Sequence, residues 1–415
     1  MSEAELPTAA PAGPLQLIES RDDAEAAAES LASGHGPVAV DVERANGFRY
    51  SHRAYLVQMF RRGAGTFLFD PVAVENFESV QGAVGEIEWV LHAASQDLPS
   101  LRELRLEPAS LFDTELGARL AGFERVGLQA VVERTLGVHL RKEHSNSDWS
   151  TRPLPAEWLE YAALDVELLV DVRDAIEDEL LQQDKHAIAR EEFGFELVRR
   201  PKPAPAEPWR RLNGLHKLKD PRKLAVAREL WLARDDLAQS LDRAPGRLMP
   251  DAALSAAALA MPRSKGELIG LKEFNGRRAS TDLDRWWAAI ERGRATDDLP
   301  RLRVRSDTPP PPRSWPRHRP AAAARLDAAR SVVRAVAEKM LLPQENLMTP
   351  GILRQTLWDA DDSEPIDMVS ELLRRDARHW QVDAVGAAVQ EAVEAADRAL
   401  VDSVQDGANT DEFSS

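Results

Sequence analysis

The alternation of apolar and polar positions separates an α/β part of the chain from two helical parts. Runs rich in β-branched and aromatic residues stand at 38–43, 55–60 (YLVQMF), 66–69 (TFLF) and 89–92 (WVLH), each of strand length. The first three are joined by short, turn-rich connections that include Gly63 and Gly65, which predicts an antiparallel meander. Helical patterns follow at 98–104, 113–120 and 128–136, with a long one over about 155–183 that Pro155 would open. The stretch RRPKPAPAEP, 199–208, reads as a proline-rich linker. An amphipathic helical unit is expected at 209–295, a Pro/Arg-rich linker at 296–320 and a second helical unit at 321–403. The ends, 1–14 and 404–415, read as disordered tails around an α/β domain at 15–198.

The first strand is chemically odd. In PVAVDVERANGF, 37–48, Val38, Val40 and Val42 share one face, so Asp41 and Glu43 share the other. Adjacent carboxylates repel, and burying them without a counter-charge costs several kcal/mol. Two acids amid valines make a poor purely structural choice.

Composition narrows what could compensate them. The chain has 415 residues, 43% of them hydrophobic and 29% charged, as expected of a multidomain globular protein. It has no cysteine, so disulfides, thiolate zinc sites and cysteine nucleophiles are excluded. No apolar run approaches the roughly 18 residues of a membrane helix. The N-terminus is acidic and Pro/Ala-rich, without the basic start of a signal peptide, and a cytoplasmic location is expected. The net charge of −16 argues against a generic nucleic-acid binder, although a local basic face is compatible with it.

Further acids stand where they could join the strand pair. Asp97 follows a buried strand in VLHAASQDLPSL, at the start of a helix, where an aspartate is most often a cap. Tyr161 and Asp165 lie four apart in LPAEWLEYAALDVELL, on one helix face, and such pairs are most often surface neighbours. Brought together, Asp41, Glu43, Asp97 and Asp165 carry about four negative charges, which two divalent cations would offset. Hard oxygen ligands without Cys or clustered His point to Mg²⁺ or Mn²⁺ and to metal-dependent phosphodiester hydrolysis. Tyr161, one turn before Asp165, could then orient the attacking water.

These residues resemble a known family. The VDVE of the first strand, HAASQDL and YAALD occur in the order of the DEDD exonucleases, and specifically of the ribonuclease D family. AYLVQM, LFDTELGARLAG and SDWSTRPL add to the likeness, which spans most of 15–195. Glu160, rather than His, stands five before Asp165, which indicates the tyrosine type. The resemblance implies a ribonuclease H-like mixed sheet with flanking helices. It implies that Asp41 bridges both metals, Glu43 and Asp165 hold the ion that activates water, Asp97 serves the second ion and Tyr161 positions the nucleophile. Val42, where the family often has Thr, leaves the ligand pattern intact.

The unit at 209–295 resembles an HRDC domain through its RELW helix, PGRLMPDAAL and MPRSKGELIGL, and the last unit looks like a diverged second copy. Lys217, Lys219, Arg222 and Lys223 could touch phosphates, or form a solvated face with ion pairs. Arg301, Arg303 and Arg305 offer another phosphate track. Tyr50 could meet the terminal nucleotide or be an ordinary loop aromatic; His92 reads as packed or hydrogen-bonded rather than metal-bound. Of Trp286 and Trp287, one must be partly exposed, and Gly63 and Gly65 lack the following helix of a phosphate loop. The expected protein is a monomeric 3′–5′ exoribonuclease acting on RNA with a free single-stranded 3′ end, such as tRNA precursors, and releasing 5′-nucleoside monophosphates. The rivals are a DNA exonuclease of the same superfamily and a non-catalytic RNA-binding protein on the same scaffold.

Overall fold

The structure is a computed structural model that describes residues 6–141, 144, 146–200, 203–303, 308–362 and 364–412. Arg305 lies outside the described residues. The α/β part holds one six-stranded sheet: β1 (Gln16–Ile18), β2 (His35–Arg44), β3 (Ala54–Arg62), β4 (Gly65–Phe69), β5 (Glu88–Leu91) and β6 (Ser110–Asp113), ordered β1-β4-β3-β2-β5-β6. The meander β2-β3-β4 is antiparallel as expected, while β1 pairs with β4, and β2 with β5 and β5 with β6, in parallel. The helix expected over 113–120 is present from Thr114, with Asp113 ending the strand before it, and neither β6 nor β1 was expected.

The valine face of β2 meets α1 (Arg21–Ser33), α2 (Glu78–Val84) and α3 (Leu98–Glu103). Val38, Val40 and Val42 pack there with Leu31, Val80 and Leu101. The opposite face carries α6 (Ala156–Glu167) and α7 (Leu169–Gln182), preceded in the chain by α4 (Thr114–Leu120) and α5 (Leu128–Leu136). Ala39 and Val90 meet Val166, Leu169 and Val170, and Leu56 and Leu68 meet Ala162 and Ala163. Asp41 and Glu43 therefore point toward the helix that carries Asp165. The long helix expected over 155–183 is interrupted at Leu168. Its two halves bury different faces: α6 covers the end of β3 and β4, whereas Val172, Ile176 and Leu180 of α7 turn toward α4, α5 and α8 (His186–Val198).

The helical unit after the first linker is built on α9 (Pro221–Ser240) packed along the helix Leu283–Ala295. Gly293 permits that close approach, since a Cβ there would stand 2.5 Å from Val226 Cα. Trp209, Leu230, Phe274, Trp286 and Ile290 fill its core, and Trp287 is partly exposed at its edge. The last unit pairs the helices Pro320–Met340 and His379–Glu412. It does not keep a separate core: Trp315, Leu326, Val333 and Val385 join Phe112, Val131, Ile176 and Phe193 of the α/β part. Buried Glu192 of α8 seals that seam, accepting from Arg378 Nε at 2.5 Å and from Trp380 Nε1 at 2.7 Å. No helix among the described residues is long and apolar enough to cross a membrane.

Candidate active site

The parallel strands β2, β5 and β6 end on one edge of the sheet, where open α/β sheets commonly place their chemistry. Asp41 and Glu43 reach this edge on β2, and Asp165 reaches it from α6. One carboxylate oxygen from each of the three lies within 4.8 Å of the others, as a shared cation requires. Glu43 and Asp165 are buried, at 8% and 7% exposure, and Asp41 is half-buried. Burial pushes the Glu43 carboxyl well above its ordinary range, and the charges of Asp41, Asp165 and Asp97 push it the same way. Asp165 is raised by burial and by Asp41, and Asp41 is raised by burial against the help of the Val42 N–H and Arg44. Carboxylates that obstruct one another's ionisation in this way fit a cation among them. The donor set, hard oxygens only, suits a divalent metal.

Asp97 comes from the turn after β5. Its side chain does not cap α3, so the commonest reading of an aspartate at that position fails here. It forms an ion pair with Arg44, Nη2 to Oδ1 at 3.1 Å, while Nη1 of Arg44 donates to the Gln96 carbonyl. Burial and the neighbouring Asp41 still raise its pKa, with Arg44 opposing. The structure thus brings three of the four expected acids within one ligand sphere and holds the fourth beside a guanidinium.

Two supports were not anticipated from the sequence. Asp113, at the end of β6, caps α4 by accepting from the Glu115 and Leu116 N–H groups at 2.9 and 3.1 Å. It also accepts from Ala93 and Ala94 N–H at 3.0 and 2.8 Å, and so braces the turn, left-handed at Ala93, that leads to Asp97. Burial lifts its pKa to about 6 despite these four bonds. An Asp directly before the helical run TELGARL was the available signal. The second support is Arg152 of SDWSTRPL, which binds Asp70 at the end of β4 and the carbonyls of Tyr55, Trp149 and Thr151. It fixes the segment that enters α6, where Trp149 and Tyr161 stand with ring centres 6.4 Å apart.

Tyr161 hydrogen-bonds to Asp165. Burial, then the charges of Asp165 and Glu43, raise its pKa far above that of an ordinary phenol. It is a hydrogen-bond donor at any working pH, not a base. A cavity of about 250 Å³ opens beside Tyr161 and Asp165, with Arg125, Gln129 and Arg141 among its walls. Both arginines are exposed, so cations flank the acids in a chain of net negative charge.

The remaining candidates fall elsewhere. Tyr50 packs against the core of the second unit and its hydroxyl donates to Asp235 at 3.2 Å, which commits it to the domain seam. Arg222 and Lys223 direct their charge at the carbonyls of Thr296 and Leu259. Lys217 and Lys219 are exposed on the same unit. His92 contacts Thr114 Oγ1 at 2.9 Å through Nδ1 and is not among the clustered ligands.

A family model described as 3′-5′ exonuclease matches residues 15–181, the HRDC domain model matches 223–290, and the model of the 3′ to 5′ exonuclease C-terminal domain matches 308–393. The last unit, expected as a second HRDC-like domain, is thus matched by a model of its own. The ribonuclease D of Granulibacter bethesdensis is 32% identical over 294 residues, 66% of this chain and 71% of that protein. A crystal structure of a protein from Bifidobacterium adolescentis is 35% identical, with a TM-score of 0.87 over 94% of this chain and 100% of that one. The crystal structure of Escherichia coli RNase D, 24% identical, shares the fold with a TM-score of 0.67 over 92% of this chain and 99% of that one. With its acids on the expected strand, turn and helix, the chain belongs to the ribonuclease D family of 3′–5′ exonucleases.

Proposed function

We propose that this 3′–5′ exoribonuclease removes single nucleotides hydrolytically from RNA with a free single-stranded 3′ end, tRNA precursors among its substrates, and that it works as a cytoplasmic monomer. The observation that carries the reading is the convergence of Asp41, Glu43 and Asp165 within 4.8 Å of one another at the sheet edge, with Asp97 beside them. In this reading Asp41, Glu43 and Asp165 would hold one divalent cation, Mg²⁺ or Mn²⁺, and Asp41 with Asp97 would hold a second. Such a pair supplies Lewis acidity that makes water nucleophilic near neutral pH and offsets charge on the leaving oxygen.

The chain's own groups do the rest. Tyr161 keeps its proton and donates it to the Asp165 carboxylate, which fixes that group, and the phenol oxygen is left to accept from the attacking water and orient it. Arg125 and Arg141, on the wall of the cavity beside Tyr161 and Asp165, would meet the strand's phosphates in this reading and supply the local positive field that the net charge of −16 lacks. Water adds to phosphorus and the P–O3′ bond breaks. The products are a 5′-nucleoside monophosphate and an RNA one residue shorter with a 3′-hydroxyl. The RNase D of Escherichia coli is described as an exoribonuclease involved in structured RNA processing, which supports RNA as the substrate here.

The test is a time course on 5′-labelled RNA with a single-stranded 3′ tail and a matched DNA, with chromatography of the released nucleotides. A 3′-shortening ladder with 5′-monophosphates, faster on RNA, is expected. Faster shortening of DNA would make the chain a DNA exonuclease, and internal cuts or 3′-phosphates would refute the mechanism.

A further inference from the structure

The four acids of the site are not electrostatically equivalent. Among the described residues, no cation forms an ion pair with Asp41, Glu43 or Asp165, whereas Asp97 already has Arg44 at 3.1 Å. Arg44 follows Glu43 directly, and the pairing of β2 with β3 shifts register between these two residues. Such an irregularity re-aims side chains near the end of a strand. The Arg44 guanidinium is thereby delivered to the turn that carries Asp97, and both partners are largely buried, with side chains 17% and 6% exposed. Its second nitrogen donates to the carbonyl of Gln96, a neutral acceptor on the same turn. The cation is therefore anchored independently of Asp97 and stays close even when that carboxylate is engaged elsewhere.

We infer that Arg44 is an internal counter-ion for Asp97 that weakens the cation position Asp97 serves. An ion at that position must take the carboxylate from Arg44. This rests on the two-cation reading above. A divalent ion at the first position meets three acids that form no ion pair with a cation among the described residues. An ion at the second meets an acid already neutralised and a guanidinium that repels it. Arg44 is thus a positioning residue that acts through Asp97. It sets the metal concentration at which the enzyme becomes competent, without itself touching the scissile bond.

The experiment is a Mn²⁺ titration of the metal-stripped full chain, with free Mn²⁺ followed by electron paramagnetic resonance and heat by calorimetry. The wild-type chain should show one tight and one weaker class of site, and Asp97→Asn should lose the weaker class. In Arg44→Met the weaker class should tighten about tenfold, the usual size of a neighbouring charge's effect on a buried acid. Arg44→Lys, which keeps the charge, should stay near wild type. Two equal sites in the wild-type chain would overturn the inference, and so would a weaker class that survives Asp97→Asn or that Arg44→Met leaves unchanged or weakens. Should Arg44→Met not fold, Arg44→Gln, which removes the charge but keeps a donor for the Gln96 carbonyl, should tighten the weaker class in the same way, and a weaker class that it leaves unchanged would overturn the inference. A wild-type chain that binds no Mn²⁺ would instead refute the two-cation reading itself.

Discussion

Arg152 holds Asp70 with two parallel hydrogen bonds, Nε to Oδ2 at 2.6 Å and Nη2 to Oδ1 at 2.7 Å. Asp70 is buried at 2% exposure, and the pair ties the segment before α6 to the end of β4. Removing the guanidinium strands a buried carboxylate, so Arg152→Ala should cost about 3 kcal/mol in urea unfolding. The double variant Arg152→Met/Asp70→Asn should recover part of that loss. Independent, additive effects of the two single changes would show that the pair is not coupled.

Tyr161 is placed to donate, not to accept a proton. Tyr161→Phe keeps the packing against Trp149 and deletes only the hydroxyl. It should lower kcat about a hundredfold, as loss of an oriented hydrogen bond at the reacting centre does, with KM near wild type. A rise in KM at unchanged kcat would assign the tyrosine to substrate binding instead.

His92 gives the fold an acid-sensitive point. Burial pushes its pKa down to about 4, against a weaker upward pull from Glu115. The unfolded chain protonates this histidine below its ordinary value of 6.5 and the folded chain does not. Its contribution to stability is therefore complete above that value and is lost as pH falls from there through about 4. The difference should reach about 2 kcal/mol by pH 5. His92→Gln should flatten that part of the stability profile, and proton NMR of the imidazole should show a midpoint near 4. A midpoint at the ordinary value would contradict the account.

The second unit is docked on the loop that follows β2. Asp242 accepts from Ser51 N–H at 2.9 Å and from the Tyr55 hydroxyl at 3.3 Å, Ala244 N–H donates to the Phe48 carbonyl at 3.0 Å, and Arg247 lies over the Phe48 ring. Asp242→Ala should loosen this seam and speed proteolysis in the 199–208 linker, while the cleavage rate on short unstructured RNA changes less than twofold. Unchanged proteolysis would show that the seam does not depend on Asp242.

The site was legible where a local period carries it. Alternation in β2 put Asp41 and Glu43 on one face, and the four-residue spacing in α6 put Tyr161 with Asp165. What escaped was non-local. Arg44 stood just past the predicted strand with no role assigned, because its partner lies on a turn 53 positions later. The three residues of β1 are too few to show a period, and the four of β6 run directly into α4, so the strand went unread and its last residue, Asp113, read as the start of the helix. The shared core of the first and last units could not be read either. An amphipathic face shows that a helix is covered but not by what, and Trp315 or Val385 would look the same in a domain with its own core. The packing of Tyr50 was illegible for a related reason: a loop aromatic after β2 gives no sign that another domain will claim it.

The central claim is that the carboxylates at the edge of β2 do chemistry rather than hold the fold. Asp41→Asn removes one charge from the cluster and leaves the shape. Measured side by side, RNA binding by anisotropy should stay within about threefold, and 3′ shortening of the same RNA in Mg²⁺ or Mn²⁺ should fall about a thousandfold or more, the scale of a lost catalytic group. EDTA should likewise abolish shortening by the wild-type chain. Wild-type RNA binding with no shortening in either metal, or shortening that survives Asp41→Asn, would contradict the account.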